Sequence, residues 1–209
     1  MIKIQTLALW GGVALLAAFS TGCKTEMPKP SGFLSDYSRL KEANDSTWQY
    51  VDSSGLAACD KFTVAPVKVM VRQYWGTTFT TDQQQSLSAV FSDKIVKALG
   101  PRFQMESTVS PTTGEIRVAL TQAFRVGNAL AIGAEAEILN SQSHQQLAAV
   151  TGSKIGPPEM GINTSPRTLN SPADPSTYMA AWWNQPAADE LMDRWAEQIV
   201  KIIDSARKK

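Results

Sequence analysis

Histidine and cysteine are nearly missing from this sequence: 209 residues contain one histidine, His144, and two cysteines, Cys23 and Cys59. With a single imidazole, a multi-histidine metal site cannot be built, and any histidine-based catalytic triad has to run through His144. Two cysteines give no disulfide framework and no Cys-x-x-Cys pair. There is also no glycine-rich phosphate loop and no Gly-x-Ser-x-Gly elbow, so phosphate-transfer and serine-hydrolase readings lack their local signatures. Excess charge of one sign is absent as well: 20 basic residues stand against 19 acidic. A near-neutral chain offers no basic footprint for nucleic acid and no field to steer a charged substrate.

What is present begins at the N-terminus. Lys3 precedes an apolar run over 4–19, too short for a membrane span and followed by the small residues Ser20-Thr21-Gly22 and then Cys23. Residues 1–22 therefore read as a secretory signal peptide. Its ending resembles that of a bacterial lipoprotein signal, although Ser20 stands where such signals usually carry Leu. The resemblance implies that Cys23 is lipidated, with palmitate-type chains, and becomes the first residue of the mature protein. Buried methylenes contribute about 0.8 kcal/mol each, so several chains on one cysteine hold a protein to a bilayer stably. Lys24 follows the cysteine, and the resemblance to lipoproteins without Asp there implies the outer membrane, with the domain on its periplasmic side. Residues 23–30 then serve as lipid attachment and a proline-containing tether.

Residues 31–209 read as one globular domain, since 43% hydrophobic content suffices for a core. Its centre is 115–155, a three-stranded antiparallel meander. Ile116, Val118, Leu120, Phe124 and Val126 alternate with polar or small residues, as do Leu130, Ile132, Ala134, Ala136 and Ile138. A two-residue Gly127-Asn128 loop would put Glu135 and Glu137 on the apolar face. A three-residue loop ending at Ala129 instead sets Phe124 opposite Ile132, so phase favours three. In the last strand, Leu147, Ala149 and Thr151 are expected on the apolar face.

Around the meander, 31–40 supplies Phe33, Leu34, Tyr37 and Leu40 for packing, and 46–51 and 61–71 read as strands, Pro66 in the latter arguing for an edge position or a strand entry because it cannot donate to a ladder. Thr81 with Gln84 predicts a capped helix whose stripe is Leu87, Val90, Phe91, Ile95, Ala98 and Leu99, stopped at Gly100-Pro101. Residues 103–109 suggest another strand. The proline-rich 156–181 reads as a long loop, which in a compact domain is functional or disordered. A final helix opens at Pro186, with Asp189 and Glu190 in its first turn and Leu191, Met192, Trp195, Ile199, Ile202 and Ile203 on one stripe. The expected fold class is a two-layer α/β (α+β) domain: a mixed sheet of about five strands with a central antiparallel meander and two main amphipathic helices on one face.

Three blocks carry a further resemblance: residues 31–40, the segment 135–142, and Trp183 with Trp195-Ala196. They resemble a bacterial lipoprotein family known as domain of unknown function 3313. Where that pattern has Asp and Gly in the turn after the second meander strand, this chain has Asn140 and His144. The resemblance brings no catalytic residues with it.

Chemistry-bearing side chains are few. His144 reads as a solvated hairpin residue and Cys59 as a buried thiol. Glu135 and Glu137, about 7 Å apart on one strand face, could pair as acid and base, yet Arg117 and Arg125 on the neighbouring strand make a cross-strand charge ladder the better reading. Trp182-Trp183, with Tyr178 nearby, are the candidate partner or ligand contact, Trp183 packing on the last helix and Trp182 facing outward. The expectation is a non-enzymatic interaction or structural lipoprotein of the envelope, with no catalytic residue, no metal and no cofactor. Its partners would be the membrane, through lipid on Cys23, and an envelope protein. The alternatives are a lipid- or small-ligand-binding module with an aromatic groove, and then an envelope hydrolase.

Overall fold

The structure, a computed structural model, describes residues 27–43, 46–71, 73–74, 77–126, 129–158 and 186–208. In chain order its elements are β1 (Lys41–Glu42), β2 (Thr47–Val51), α1 (Ser53–Ala57), β3 (Lys61–Val64), β4 (Lys68–Val69), β5 (Gln73–Tyr74) and β6 (Thr77–Thr78). They continue with α2 (Thr81–Leu99), β7 (Gln104–Met105), β8 (Thr113–Val126), β9 (Ala129–Asn140), β10 (Gln146–Pro158) and α3 (Pro186–Arg207). Among the described residues, eight strands form one mixed sheet in the order β1-β2-β10-β9-β8-β3-β7, with β4 also on β8 and β5–β6 a separate ladder.

β8, β9 and β10 are the expected antiparallel meander. β1 had no counterpart in the expected strands, and β1, β4 and β7 are each two-residue ladders, too short for a hydrophobic period to reveal. The strand expected over 103–109 shrinks to β7, and the one over 61–71 breaks at Pro66 into β3 and β4, both parallel to β8. The break costs no backbone bond at Val67. Its N–H donates to Ser92 Oγ at 3.1 Å, and Ser88 Oγ donates to its carbonyl at 2.6 Å, both serines lying on α2.

The turn between β8 and β9 departs from expectation. Val126 faces Ala129, so the connection is the two residues Gly127-Asn128. The apolar phase survives because the register shifts between Leu120 and Gln122, leaving Thr121 as an extra, bulged residue. One inserted residue turns the rest of the strand over, which is what a three-residue loop would have done at the tip. Ile132 therefore faces Ala123, while Phe124 faces Ala131 on the other side of the sheet and is half-buried. A second shift, between Gln146 and Ala148, corrects the last strand: Leu147, Ala148 and Val150 join the main core, and Ala149 and Thr151 lie opposite Glu137 and Glu135.

Both principal helices pack on the face of Ile116, Val118, Leu120, Ile132 and Ile138. α3 follows its sequence pattern closely: Leu191, Met192, Trp195, Ile199, Ile202 and Ile203 are all buried, and Trp195 Nε1 donates to the Ile132 carbonyl at 3.3 Å. α2 starts one residue early. Thr80 is its cap and Gln83 completes the capping box, while Val90 from the expected stripe is 46% exposed. The short α1 is capped by Asp52, which accepts from Gly55 N at 3.0 Å. No described helix is long and apolar enough to cross a membrane.

Candidate functional site

The side of the sheet away from the helices should be wet, given its Glu and Arg residues, yet it is covered. Residues 31–40 cross β9 and β10 as a strap, with Phe33 and Leu34 packed on Ala119 and Ala149 and with Tyr37, Leu40 and Met70 around them. Beneath it Glu135 and Glu137 are only 2% and 1% exposed.

Burying two carboxylates is tolerable only if hydrogen-bond donors replace water. The strap supplies them in a repeated pattern. Ser31 donates its N–H to Glu135 Oε1 at 3.2 Å and its hydroxyl to Oε2 at 2.7 Å. Four residues on, Ser35 donates its N–H and its hydroxyl to Glu137 Oε2, at 2.8 and 2.7 Å. The Tyr37 hydroxyl donates to Glu135 Oε2 and accepts the N–H groups of Gly32, Phe33 and Leu34 at 3.1, 2.9 and 3.1 Å. Three successive N–H groups can converge on one oxygen because Gly32 sits at φ +85°, a left-handed conformation that a side chain would strain.

The sheet adds two partners. Gln146 Nε2 donates to Glu137 Oε2 at 3.0 Å. Arg117 Nη1 lies 3.0 Å from Glu137 Oε1 as an ion pair, but its N–H is not aimed at that oxygen, which accepts no hydrogen bond from the described residues. The Arg117 guanidinium also lies 5.3 Å from the centre of the Phe33 ring. Further along the strap, Arg39 pairs with Asp36 at 2.9 Å and donates to Tyr50 and Gln146. Hydrogen bonds from Ser38, first its hydroxyl and then its N–H, hold the Asp36 carboxyl below the usual range.

Of the anticipated charge ladder, Arg117 pairs with Glu137; Arg125 stands opposite Leu130 in register, and its side chain lies outside the described residues. The pair has no open side for a substrate, so in this arrangement its carboxylates bind the protein's own N-terminal segment. Cys59 is buried, and burial pushes its thiol up, away from the thiolate a nucleophile needs. His144 is an exposed turn residue at φ 56°, occupying a left-handed position where glycine would be at ease. No three potential metal ligands cluster among the described residues. Cys23, Tyr178, Trp182 and Trp183 lie outside the described residues, as does the expected loop beyond residue 158; its first residues, up to Pro158, belong to β10.

The opposite side of the molecule carries an open cleft of about 1020 Å³ between α2 and α3. Lys94 spans it, reaching Asp189 at 2.8 Å and Asp193 at 2.7 Å. Burial alone would lower the Lys94 pKa, but the hydrogen bonds to these two aspartates outweigh it and the net shift is upward.

Residues 29–132 match the model of the family described as protein of unknown function (DUF3313). The chain belongs to that family. The matched stretch includes the whole strap and β8, and ends before Glu135, so segment 135–142 and the tryptophans of the sequence resemblance lie beyond it. No curated protein matches the chain. Solved structures similar to this DUF3313 protein include protein XCC0632 from Xanthomonas campestris, at TM-score 0.43 and 15% identity over 71% of this chain and 86% of that one. The hypothetical protein CT253 from Chlamydia trachomatis has TM-score 0.44 and 9% identity, over 70% and 99%. A PelC dodecamer from Paraburkholderia phytofirmans has TM-score 0.41 and 13% identity, over 72% and 95%. Likeness at this level carries no statement about activity.

Proposed function

We propose that this DUF3313 protein is a lipid-anchored, periplasm-facing lipoprotein of the outer membrane that acts by holding and binding, as a structural or interaction module of the envelope, rather than by catalysis. One observation supports it above the others. The segment that follows the Cys23 signal is fastened to the middle strand of the sheet, Ser31 and Ser35 each giving two hydrogen bonds to a buried glutamate. Hydrogen bonds to charged groups contribute about 1.5–3 kcal/mol each. A pull on the anchor is thereby transmitted to the whole sheet and not to a loose tail. The two carboxylates best placed for acid–base work are consumed in this fastening, which argues against the hydrolase alternative.

The test of the anchor is Cys23→Ala in cells fed labelled fatty acid. The wild type is expected to carry label and sediment with membranes; the variant, processed at its signal, is expected to lose label and turn soluble. A processed variant that stays with the membrane would contradict the anchor. Purification of the lipidated protein from detergent-solubilised envelope then separates the roles: a stoichiometric protein partner supports the module reading, and co-purifying lipid or glycan without one overturns it.

A further inference from the structure

The strap fixes where the polypeptide leaves the domain, and that point constrains how the domain can lie on a membrane. Ser31 is the last residue before the tether with a hydrogen bond to the sheet, and Glu135, which holds it, lies on β9. β9 is the central strand of the sheet order, with three strands on either side. Between Cys23 and Ser31 there are seven residues, 24–30. The eight steps from Cys23 to Ser31, fully extended at about 3.4 Å each, reach about 27 Å.

We propose that the strap-bearing face of the sheet is the surface this protein lays against the phospholipid bilayer, with the α2–α3 side turned away from it. The inference rests on lipidation at Cys23. The reverse orientation needs too long a tether. From Glu135 the chain would have to cross three strands, about 14 Å at about 4.8 Å spacing, to reach an edge. It would then have to pass the sheet and a helix of about 10–12 Å diameter. Together with the thickness of the sheet that is about 30 Å or more, against an available reach of about 27 Å. Leaving over the strand ends is no shorter, since Glu135 stands five to six residues from each end of β9, about 17–20 Å, before the same descent. Because the strap is locked by its serines and Tyr37, the domain cannot gain slack without releasing Glu135 and Glu137. The cleft spanned by Lys94 is consequently the face left free for a protein partner.

The experiment uses the full lipidated chain in phosphatidylethanolamine–phosphatidylglycerol vesicles containing lipids with spin-labelled headgroups. A fluorophore is attached through Ser38→Cys or Glu42→Cys, exposed positions on the strap side, or through Lys201→Cys, exposed on α3. Native Cys59, which is buried, is replaced by alanine in each labelled variant so that only the introduced cysteine reacts. The expected result is several-fold stronger quenching at positions 38 and 42 than at 201, and loss of the contrast between 42 and 201 when Glu135→Gln and Glu137→Gln release the strap. Equal or reversed quenching in protein that floats with the vesicles overturns the orientation while leaving the anchor standing. Failure to float overturns the anchor and the orientation with it.

Discussion

Asp52 caps α1, and the Gly55 N–H, followed by the Ser54 hydroxyl, holds its carboxyl below the usual value. A folded-state pKa below the unfolded one means stability that is present above about pH 4 and lost as pH falls through the folded value. Asp52→Ala should therefore cost about 1 kcal/mol at pH 7, while Asp52→Asn, an equally good cap, should cost little and lose the acid dependence. Urea melts at pH 7 and pH 3 check both. Cys59 makes a second residue-scale prediction. Buried against Gly55, with its pKa raised by burial, it should resist iodoacetamide at neutral pH in the folded protein and react fully in denaturant. Rapid alkylation of the native protein would show the thiol to be reachable.

At the scale of elements, the two bulges decide which face each side chain occupies. Ile132 is fully buried under the helices, so Ile132→Ala should cost about 2–5 kcal/mol. Phe124, turned to the other face by the Thr121 bulge and only half-buried, should cost clearly less on truncation than Ile132. Equal or reversed losses in urea melts would place the register shift elsewhere. These elements also show what a period can and cannot reveal. The stripe of α3, the alternation of β9 and the alternation of β8 up to Leu120 were legible, because each buries one continuous face. The bulges were not, since an inserted residue leaves composition and alternation intact and moves only the phase; a longer loop explains the same phase with one assumption fewer. The α2 start slipped by one because Thr80 and Thr81 are both capping residues and Gln83 and Gln84 both complete a box.

For the whole molecule, the site was half legible. Glu135 and Glu137 stood out as paired carboxylates on an apolar strand, and 31–40 stood out as a segment with side chains to bury. Their union did not follow from either, since it joins residues about a hundred positions apart. The usable signal was Ser31-x-x-x-Ser35-x-Tyr37, three hydroxyls spaced to meet two acceptors on alternate residues of a strand. The central claim is that this glutamate pair holds the strap to the sheet, and amide hydrogen exchange of peptides spanning 31–38 tests it most directly. In the wild type, the N–H groups of Ser31, Gly32, Phe33, Leu34 and Ser35 all have partners and should be protected. In a Glu135→Gln, Glu137→Gln variant, amide groups bring donors where the strap also offers donors, so 31–38 should exchange at the rate of an unstructured segment while β8, β9 and β10 keep their protection. A strap as protected in the variant as in the wild type would contradict the claim.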